Sequence, residues 1–597
     1  PGLSGQFYKQ FALTIAISTV LSAFNSLTLS PALSALLLKD HRAPKDRLTK
    51  LMDRALGWFF RPFDRWFNKA ADGYVGLVRK ILRRSGIAVV AYLGLLGLTW
   101  FGFDKVPTGF VPTQDKQYLV AFAQLPDAAS LERSDDVIRE MSRIALETPG
   151  VEHAIAFPGL SIQGFTNSPN AGIVFVGLKP FEERTTPELS GNALAATLNQ
   201  KFGAIQDSFV AIFPPPPVQG LGTIGGFKLF LEDRGDQGLD ALYDSTQKFL
   251  NASNQQGELA GMFSGYQVNV PQLYADVDRA KVNAHGVSVS DVFETMQAYL
   301  GSVYVNDFNR FGRTFQVNVQ AEASHRLTPQ DVTALQTRNA QGQMVPLGSV
   351  LNVRAVSGPD RVTRYNGYPA AEINGAPAPG ISSGQALDAI ERVAKAELTG
   401  GMQYEWTELT YQQILAGNST LFVFPLCVLL VFLVLAAQYE SWTLPLSVIL
   451  IVPMCLLAAI FGVWLDGSDN NIFTQIGLFV LVGLSCKNAI LIVEFAKDHQ
   501  EQEKTDALSA VLEACRLRLR PILMTSIAFI MGVWPLVSSQ GAGSEMRHAM
   551  GVAVFAGMIG VTVFGLLLTP VFYTLIRKQR RARAPEAPHD VALAPAE

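Results

Sequence analysis

Charge is missing from seven long stretches of this chain, and that pattern limits its possible folds more than any other feature. The stretches are Phe11–Leu38, Gly86–Phe103, Ser419–Tyr439, Ser441–Leu465, Asn470–Val493, Pro521–Ser544 and Ala549–Ile576. A helix crosses a bilayer with about 20 apolar residues. Only the fifth stretch holds an ionisable side chain, Lys487. Seven such helices are hard to place in one soluble core, so the chain reads as a membrane protein. The 17% charged residues over 597 positions fit that reading, since a soluble domain carries roughly 25%.

The remaining composition removes several function classes. A net charge of −3 offers no basic surface for nucleic acid. Four cysteines are too few for a disulfide scaffold. The seven histidines are scattered, with no pair at metal-ligand spacing, so neither a metal site nor a cofactor is expected. No nucleophile elbow and no phosphate loop occur, so no enzymatic reaction is expected and ATP is not the obvious energy source.

Basic residues set an orientation. Residues 39–85 carry thirteen Lys/Arg, five Asp and no Glu. The tail begins at Arg577 and Lys578, and the link 494–520 contains Arg516, Arg518 and Arg520. Counting spans alternately puts all three segments on one side, the cytoplasmic one, and residues 104–418 on the other. Within the first link, Leu56, Phe59, Phe60, Phe63, Trp66 and Phe67 recur at helical spacing among basic residues, as in an amphipathic helix lying in the membrane interface. Ser18, Thr19, Ser22, Asn25 and Ser26 in the first span suggest a helix facing other helices. That span, at 28 residues, is too long for a signal-peptide core, and the chain opens on Pro1. The expectation is a piece of something longer.

Residues 104–418 alternate strand and helix patterns. Tyr118–Gln124, Val151–Phe157, Gly172–Leu178 and Phe209–Phe213 read as strands. Ser130–Glu147 and a segment starting at Thr186-Pro187 read as helices, giving the ferredoxin-like βαββαβ order. A second copy runs Phe227–Leu231, Leu239–Leu250 and Met262–Gln267, then resumes at Ala370–Asn374, Gly384–Lys395 and Gln403–Thr407. The gap, 271–355, reads as an inserted subdomain with a short helix at Ser290–Tyr299 and an alternating strand at Phe315–Val319. The fold class is therefore a polytopic α-helical membrane protein with a large α+β domain of ferredoxin-like units.

Lys487 is the most informative residue. A Lys at that depth costs roughly 2.5–3.5 kcal/mol on lenient insertion scales, and so it normally pairs or serves an ion path; snorkelling is the alternative. Asn488, Ser485, Thr525 and Ser526 supply polar groups at similar depth, but no Asp or Glu lies inside any of the seven spans. The partner of Lys487 is expected outside this chain. Arg518 stands at the mouth of the sixth span, as a gate for protons or a simple anchor. Ala553 and Gly557 form a small-xxx-small face for close helix packing. Phe157, Phe165, Phe175, Phe213 and Phe227 are candidates for an apolar ligand cleft, each also readable as plain core. The run from Phe213 through Pro214–Pro217 to Gly222 reads as a stiff loop beside a cleft or as a linker.

The motifs along the chain resemble one family. Leu-Ser-Pro-Ala-Leu (29–33), Pro-Thr-Gly-Phe-Val-Pro (107–112), Tyr-Val-Asn-Asp-Phe (304–308) and Arg-Tyr-Asn-Gly-Tyr-Pro (364–369) occur in its order. Gln-Tyr-Glu-Ser-Trp (438–442), Lys-Asn-Ala-Ile-Leu-Ile-Val-Glu-Phe-Ala-Lys (487–497) and Arg-Pro-Ile-Leu-Met-Thr-Ser (520–526) follow. The chain resembles the C-terminal portion of a resistance-nodulation-division (RND) transporter of the hydrophobe/amphiphile multidrug efflux branch. That resemblance implies a drug/proton antiporter of the bacterial inner membrane, a homotrimer working with a periplasmic adaptor and an outer-membrane channel. It places a proton relay on Lys487, Asn488, Arg518 and Thr525, with two Asp missing here. It places substrate contacts on Phe175 and Phe213, with Ile155 and Phe157 beside them, and makes 158–171 a switch loop carrying Leu160 and Ile162 where aromatics are expected. An Arg expected at the cleft floor is absent, and Phe263 stands near that place.

The organisation implied has a last span of the first repeat (1–38), the interfacial link (39–85) and a span (86–103). A periplasmic porter subdomain (104–225) follows, then a second (226–270 with 356–418) split by a docking-type insertion (271–355). Five spans (419–576) and a cytoplasmic tail (577–597) complete it. Two other readings are a family member moving metal ions or lipids, and a non-transporting accessory or receptor. Separated methionines (Met262, Met296, Met344) count against metal, and Lys487 counts against a pure anchor.

Overall fold

The computed structural model describes residues 2–37, 47–417 and 419–582, the side chains of 47–57, 59–61, 419–421 and 578–582 excepted. Among the described residues, seven helices are long and apolar enough to cross a membrane: Gly2–Leu37, Ser85–Lys105, Phe422–Tyr439, Leu444–Asp466, Ile472–Gln502, Ala507–Val537 and Ser544–Arg577. Each coincides with an uncharged stretch, but the sixth begins well before Pro521. Residues 507–520 are rich in the helix formers Ala, Leu, Glu and Arg, so the helix runs through its charged mouth and carries Pro521 inside it.

The fourth membrane helix is interrupted at Leu450–Ile451. Pro453 has no N–H to continue the ladder and crowds the preceding turn. Met454 bonds to Ile451 O at 3.0 Å instead, and the Tyr92 hydroxyl donates to the freed Leu450 carbonyl at 2.8 Å. The break is thereby satisfied from a neighbouring helix, as a membrane interior requires.

Helices Leu444–Asp466, Ile472–Gln502, Ala507–Val537 and Ser544–Ala582 share one core, including Val448, Met454, Leu481, Ala489, Val511, Ile522, Val561 and Tyr573. Small residues set their spacing. A Cβ on Gly462 would stand 2.2 Å from the Cβ of Ala556, and one on Gly560 would stand 2.2 Å from that of Ala458. Ala458-xxx-Gly462 therefore meshes with Ala556-xxx-Gly560. The Ala553-xxx-Gly557 face turns to the fifth helix, against Gly477 and Leu481.

The first helix packs only at its start, where Leu3, Phe7, Tyr8 and Phe11 meet Phe473 and Ile476. Ser18, Thr19, Ser22, Asn25 and Ser26 are exposed, and among the described residues no helix covers them. Thr14, Thr19 and Thr28 instead donate to the carbonyls one turn back. The segment expected to lie in the interface is a helix, Arg47–Arg83. Within it Trp66 is exposed and Phe63 and Phe67 lie 6.2 Å apart. The side chains of Leu56, Phe59 and Phe60 and the basic positions 578–583 lie outside the described residues.

The α+β region is built from two sheets. The first runs Val151–Leu160, Asn167–Leu178, Tyr118–Gln124, Phe209–Phe213 in spatial order, all antiparallel. One face (Leu119, Ala121, Val174, Val176, Ile212) packs under helices Leu131–Leu146 and Gly191–Phe202 through Ile138, Met141, Leu194 and Leu198. The second of these helices does not start at Thr186-Pro187. Those residues open a single tight turn, Pro187–Leu189, and Ser190 caps the helix by accepting from the Ala193 N–H, because the better-placed hydroxyl takes the orphan donor.

The second sheet orders Thr363–Tyr365, Tyr368–Pro377, Phe227–Asp233 and Met402–Trp406, with Leu259–Phe263 paired to Tyr368–Pro377. The strand expected over Met262–Gln267 stops at Phe263. There the Ser264 hydroxyl donates to Glu372 O at 2.6 Å and accepts from the Tyr266 N–H, turning the chain. Helices Leu239–Asn254 and Ser383–Glu397 cover this sheet. Between its halves lies an insertion with the strand pairs Val270–Val277/Leu351–Gly358 and Val303–Arg310/Arg313–Val319. The helix expected at Ser290–Tyr299 is Val289–Met296, loosening into a wider turn over Gln297–Gly301, and short helices Arg279–Ala284 and Pro329–Ala334 flank it. Past Trp406, a short helix, Glu408–Ala416, leads to the third membrane helix.

Candidate functional site

Two places gather the chemistry. In the bundle, Lys487 sits mid-way along helix Ile472–Gln502 and is exposed, and among the described residues it forms no ion pair. Its neighbour Asn488 turns inward and donates to the Ser526 hydroxyl at 3.1 Å, a buried bond that fixes the register of the fifth and sixth helices. Thr525, next to Ser526, is exposed and donates to Ile522 O at 3.1 Å. Arg518 lies seven residues earlier and therefore shares a helix face with Thr525. Its guanidinium stacks on the Phe495 ring, 4.1 Å from the centroid, and among the described residues its buried Nε has no hydrogen-bond partner. The bundle thus presents a cation, a second cation one helix away and a hydroxyl, and among the described residues neither cation has an ion-pair partner.

The second place is the free face of the first sheet. Strand alternation turns Val120, Phe122, Ile173, Phe175, Ala211 and Phe213 away from the covering helices. Phe213 is buried and lies parallel to Phe122 at 6.2 Å. Phe263, from the second sheet, closes on Phe122 at 4.4 Å and on Phe213 at 6.2 Å. Ile162 is buried in the same cluster, with Leu160 and Phe175 packed against it. Phe157 meets Phe175 edge-on at 5.9 Å, and both Phe157 and Ile155 are exposed at the open end of the face. All six expected contact residues therefore border one apolar face between the two sheets.

Phe165 and Phe227 do not join them. Phe165 is exposed on the loop with a left-handed φ of 51°. Phe227 packs inside the second unit against Trp406 at 6.1 Å. The centre of the cluster is Phe122, not among the residues expected from sequence, and strand pairing sets it on the face opposite Leu119 and Ala121.

Polar contacts tie the loop over this face to the second unit. Arg361 donates to Gln163 O at 2.9 Å and to the Thr166 hydroxyl, and pairs with Asp360 at 2.7 Å. Asn170 donates to Gln267 at 3.1 Å. Beneath the first sheet, Asp115 accepts from Arg184 at 2.7 and 3.1 Å, from Gly191 N–H at 2.7 Å and from Gln117 N–H at 3.0 Å. Burial works against its charge, but those donors hold the carboxyl below the usual carboxylate range. The Asp115 N–H in turn donates to Glu545 at the head of the last membrane helix, at 3.0 Å.

An apolar helix bundle with a charged residue midway along one span, carrying an α+β region with an aromatic face between two sheets, defines a multi-pass membrane protein with a large α+β region. The chain belongs to the AcrB/AcrD/AcrF family, whose model matches residues 1–577; this is a family of RND efflux transporters. It is 38% identical to the multidrug/solvent efflux pump membrane transporter MepB of Pseudomonas putida over 588 residues, 98% of this chain and 55% of that protein. Against the multidrug export protein AcrF of Escherichia coli (strain K12) it is 38% identical over 584 residues, 97% of this chain and 55% of the relative. The multidrug resistance protein MdtF of the same strain is 36% identical over 578 residues, 96% of this chain and 55% of MdtF. The chain spans about half the length of the curated relatives it matches.

Proposed function

We propose that this chain is part of a proton-driven exporter of apolar and amphiphilic compounds. The observation that carries the reading is Lys487, a cation on an open face at membrane depth, held in register with Thr525 and Arg518 by the Asn488–Ser526 bond. A charge in that position is costly unless an acid faces it. In the proposed cycle, carboxylates outside the described residues neutralise Lys487. Their protonation removes that attraction, and the helices respond by shifting, a local electrostatic event with a wider readout. Arg518 and Thr525 complete the relay.

The substrate face is the one bordered by Ile155, Phe157, Leu160, Ile162, Phe175 and Phe213, in which Phe263 supplies an apolar wall. Aromatic faces of this kind take apolar ligands of varied shape. The names of the relatives, multidrug and solvent pumps, agree in substrate class. In this reading the two α+β units are porter subdomains on the periplasmic side of the bacterial inner membrane, and the insertion 271–355 docks toward an outer-membrane channel. An adaptor surrounds a homotrimer.

The test is Lys487→Ala in the transporter in its native membrane. Export of a dye such as ethidium is expected to stop, with assembly unchanged. Unaltered export overturns the relay and leaves an accessory or receptor role.

A further inference from the structure

The short helix Glu408–Ala416 is the joint between the second sheet and the membrane, and its root is held by an unusual group of charges. Lys228, on the central strand Phe227–Asp233, lies between two carboxylates: Glu408 at 3.0 Å and Glu372 at 3.2 Å. The side chains are 13%, 26% and 15% exposed respectively. Lys228 is opposite Asn374 in the sheet, so Glu372 is its diagonal neighbour on the same face. Asn374 donates to Glu372 at 2.9 Å and keeps that carboxylate in place. Burial opposes the charge on Lys228, and Glu372 and Glu408 overcome it, raising the ammonium above its ordinary value.

A buried ion group of this kind adds little net stability, because desolvation offsets the attraction. Strain adds to the cost. Glu408 starts its helix with φ at 55°, a left-handed conformation that a non-glycine residue avoids. Two unfavourable features at one residue suggest a working part.

The same short helix also touches the bundle. Leu409 and Ala416 pack with Phe110, Phe473 and Ile476, and Gln412 accepts from the Leu3 N–H at 3.3 Å. Phe473 and Ile476 belong to the helix that carries Lys487. The short helix is thus held by the second sheet through charge and by the first helix, and it joins the Lys487 helix in one apolar cluster. On its flank, Lys116 donates to Pro216 O and Pro217 O at 2.8 and 2.9 Å, fixing the proline-rich crossover beside it.

We propose that Lys228, clamped between Glu372 and Glu408, is a positioning residue that makes the second sheet follow the membrane helix bearing Lys487, through the short helix Glu408–Ala416. The proposal rests on the transport reading above. Losing the clamp leaves both ends intact but lets the joint slip, so proton movement continues while cargo movement fails.

The test is a flux ratio. The intact transporter is reconstituted in proteoliposomes containing pyranine, and ethidium transport and proton counterflow are followed together under an imposed pH gradient. Lys228→Met is expected to lower ethidium transport about tenfold with proton flux within twofold of the parent, and Lys228→Arg to restore the ratio. Lys487→Ala abolishes both fluxes if the transport reading is right, so the two failures are distinguishable. Glu408→Gly removes one of the two clamping carboxylates while relieving the left-handed strain, and so remains informative if Lys228→Met does not fold. It is expected to raise the proton-to-ethidium ratio equally, and the double variant to be no worse than either single one. An unchanged flux ratio in Glu408→Gly, or equal losses of both fluxes in the two variants, overturns the proposal.

Discussion

Replacing Asp115 by Asn tests the joint beneath the first sheet. The carboxylate, with 13% of its side chain exposed, accepts four hydrogen bonds, two of them from Arg184, whose own side chain is 1% exposed. The substitution removes the countercharge and turns one of the two acceptor oxygens into a donor, so the guanidinium keeps Lys179 O, Leu189 O and at most one amide oxygen as acceptors. Breaking a buried pair costs about 3–5 kcal/mol. At about 2–4 °C per kcal/mol, the scale for a 150–250-residue domain, the α+β region should melt about 6–20 °C lower. The carboxyl is held below its unfolded value by Arg184 and the two backbone donors, although burial pushes the other way. Its contribution is therefore complete above about pH 3.9, the unfolded value, and is lost as pH falls through the folded one. Thermal unfolding followed by tryptophan fluorescence in detergent measures both effects, since Trp406 is buried in the second sheet's core. A drop of less than about 3 °C at pH 7, near 1 kcal/mol on that scale, refutes the reasoning. So does a variant that keeps the parent's loss of stability below pH 4.

Two further outcomes follow from packing. Phe122→Ala removes the ring shared by Phe213, Phe263 and Phe209 and is expected to cost about 3–5 kcal/mol. In transport assays it should weaken export of aromatic compounds more than of aliphatic ones, and equal loss for both classes counts against the cleft. Gly560→Ala forces a Cβ to within 2.2 Å of Ala458 and should destabilise the bundle by about 1–3 kcal/mol. Compensation by Ala458→Gly, read as recovered melting temperature, confirms that the contact is the cause.

The spans were legible because about 20 successive residues without charge are rarely tolerated outside a bilayer, and the strands because Tyr118–Gln124 and Phe209–Phe213 are short apolar runs bounded by polar residues and proline. Helix starts were less so. Thr186-Pro187 carries the usual signal, but the competing Ser190 wins by geometry that spacing does not encode. The lower half of the sixth helix was hidden because hydropathy finds membrane, not helix. Lys487 stood out as a lone charge, and Phe213 by its place before the prolines. Phe122 did not, since in an all-apolar strand only pairing reveals which parity faces the cleft. Lys228, Glu372 and Glu408 lie up to 180 positions apart; their meeting is set by sheet register and leaves no local trace.

The mesh of Ala458 and Gly462 with Ala556 and Gly560 limits how the bundle can move. Sliding the last helix by one turn, about 5.4 Å, would put bulkier side chains where each glycine now sits, and Gly557 against Leu481 bars the same slide on the other side. The contacts therefore lock helices Leu444–Asp466, Ile472–Gln502 and Ser544–Ala582 against sliding past one another.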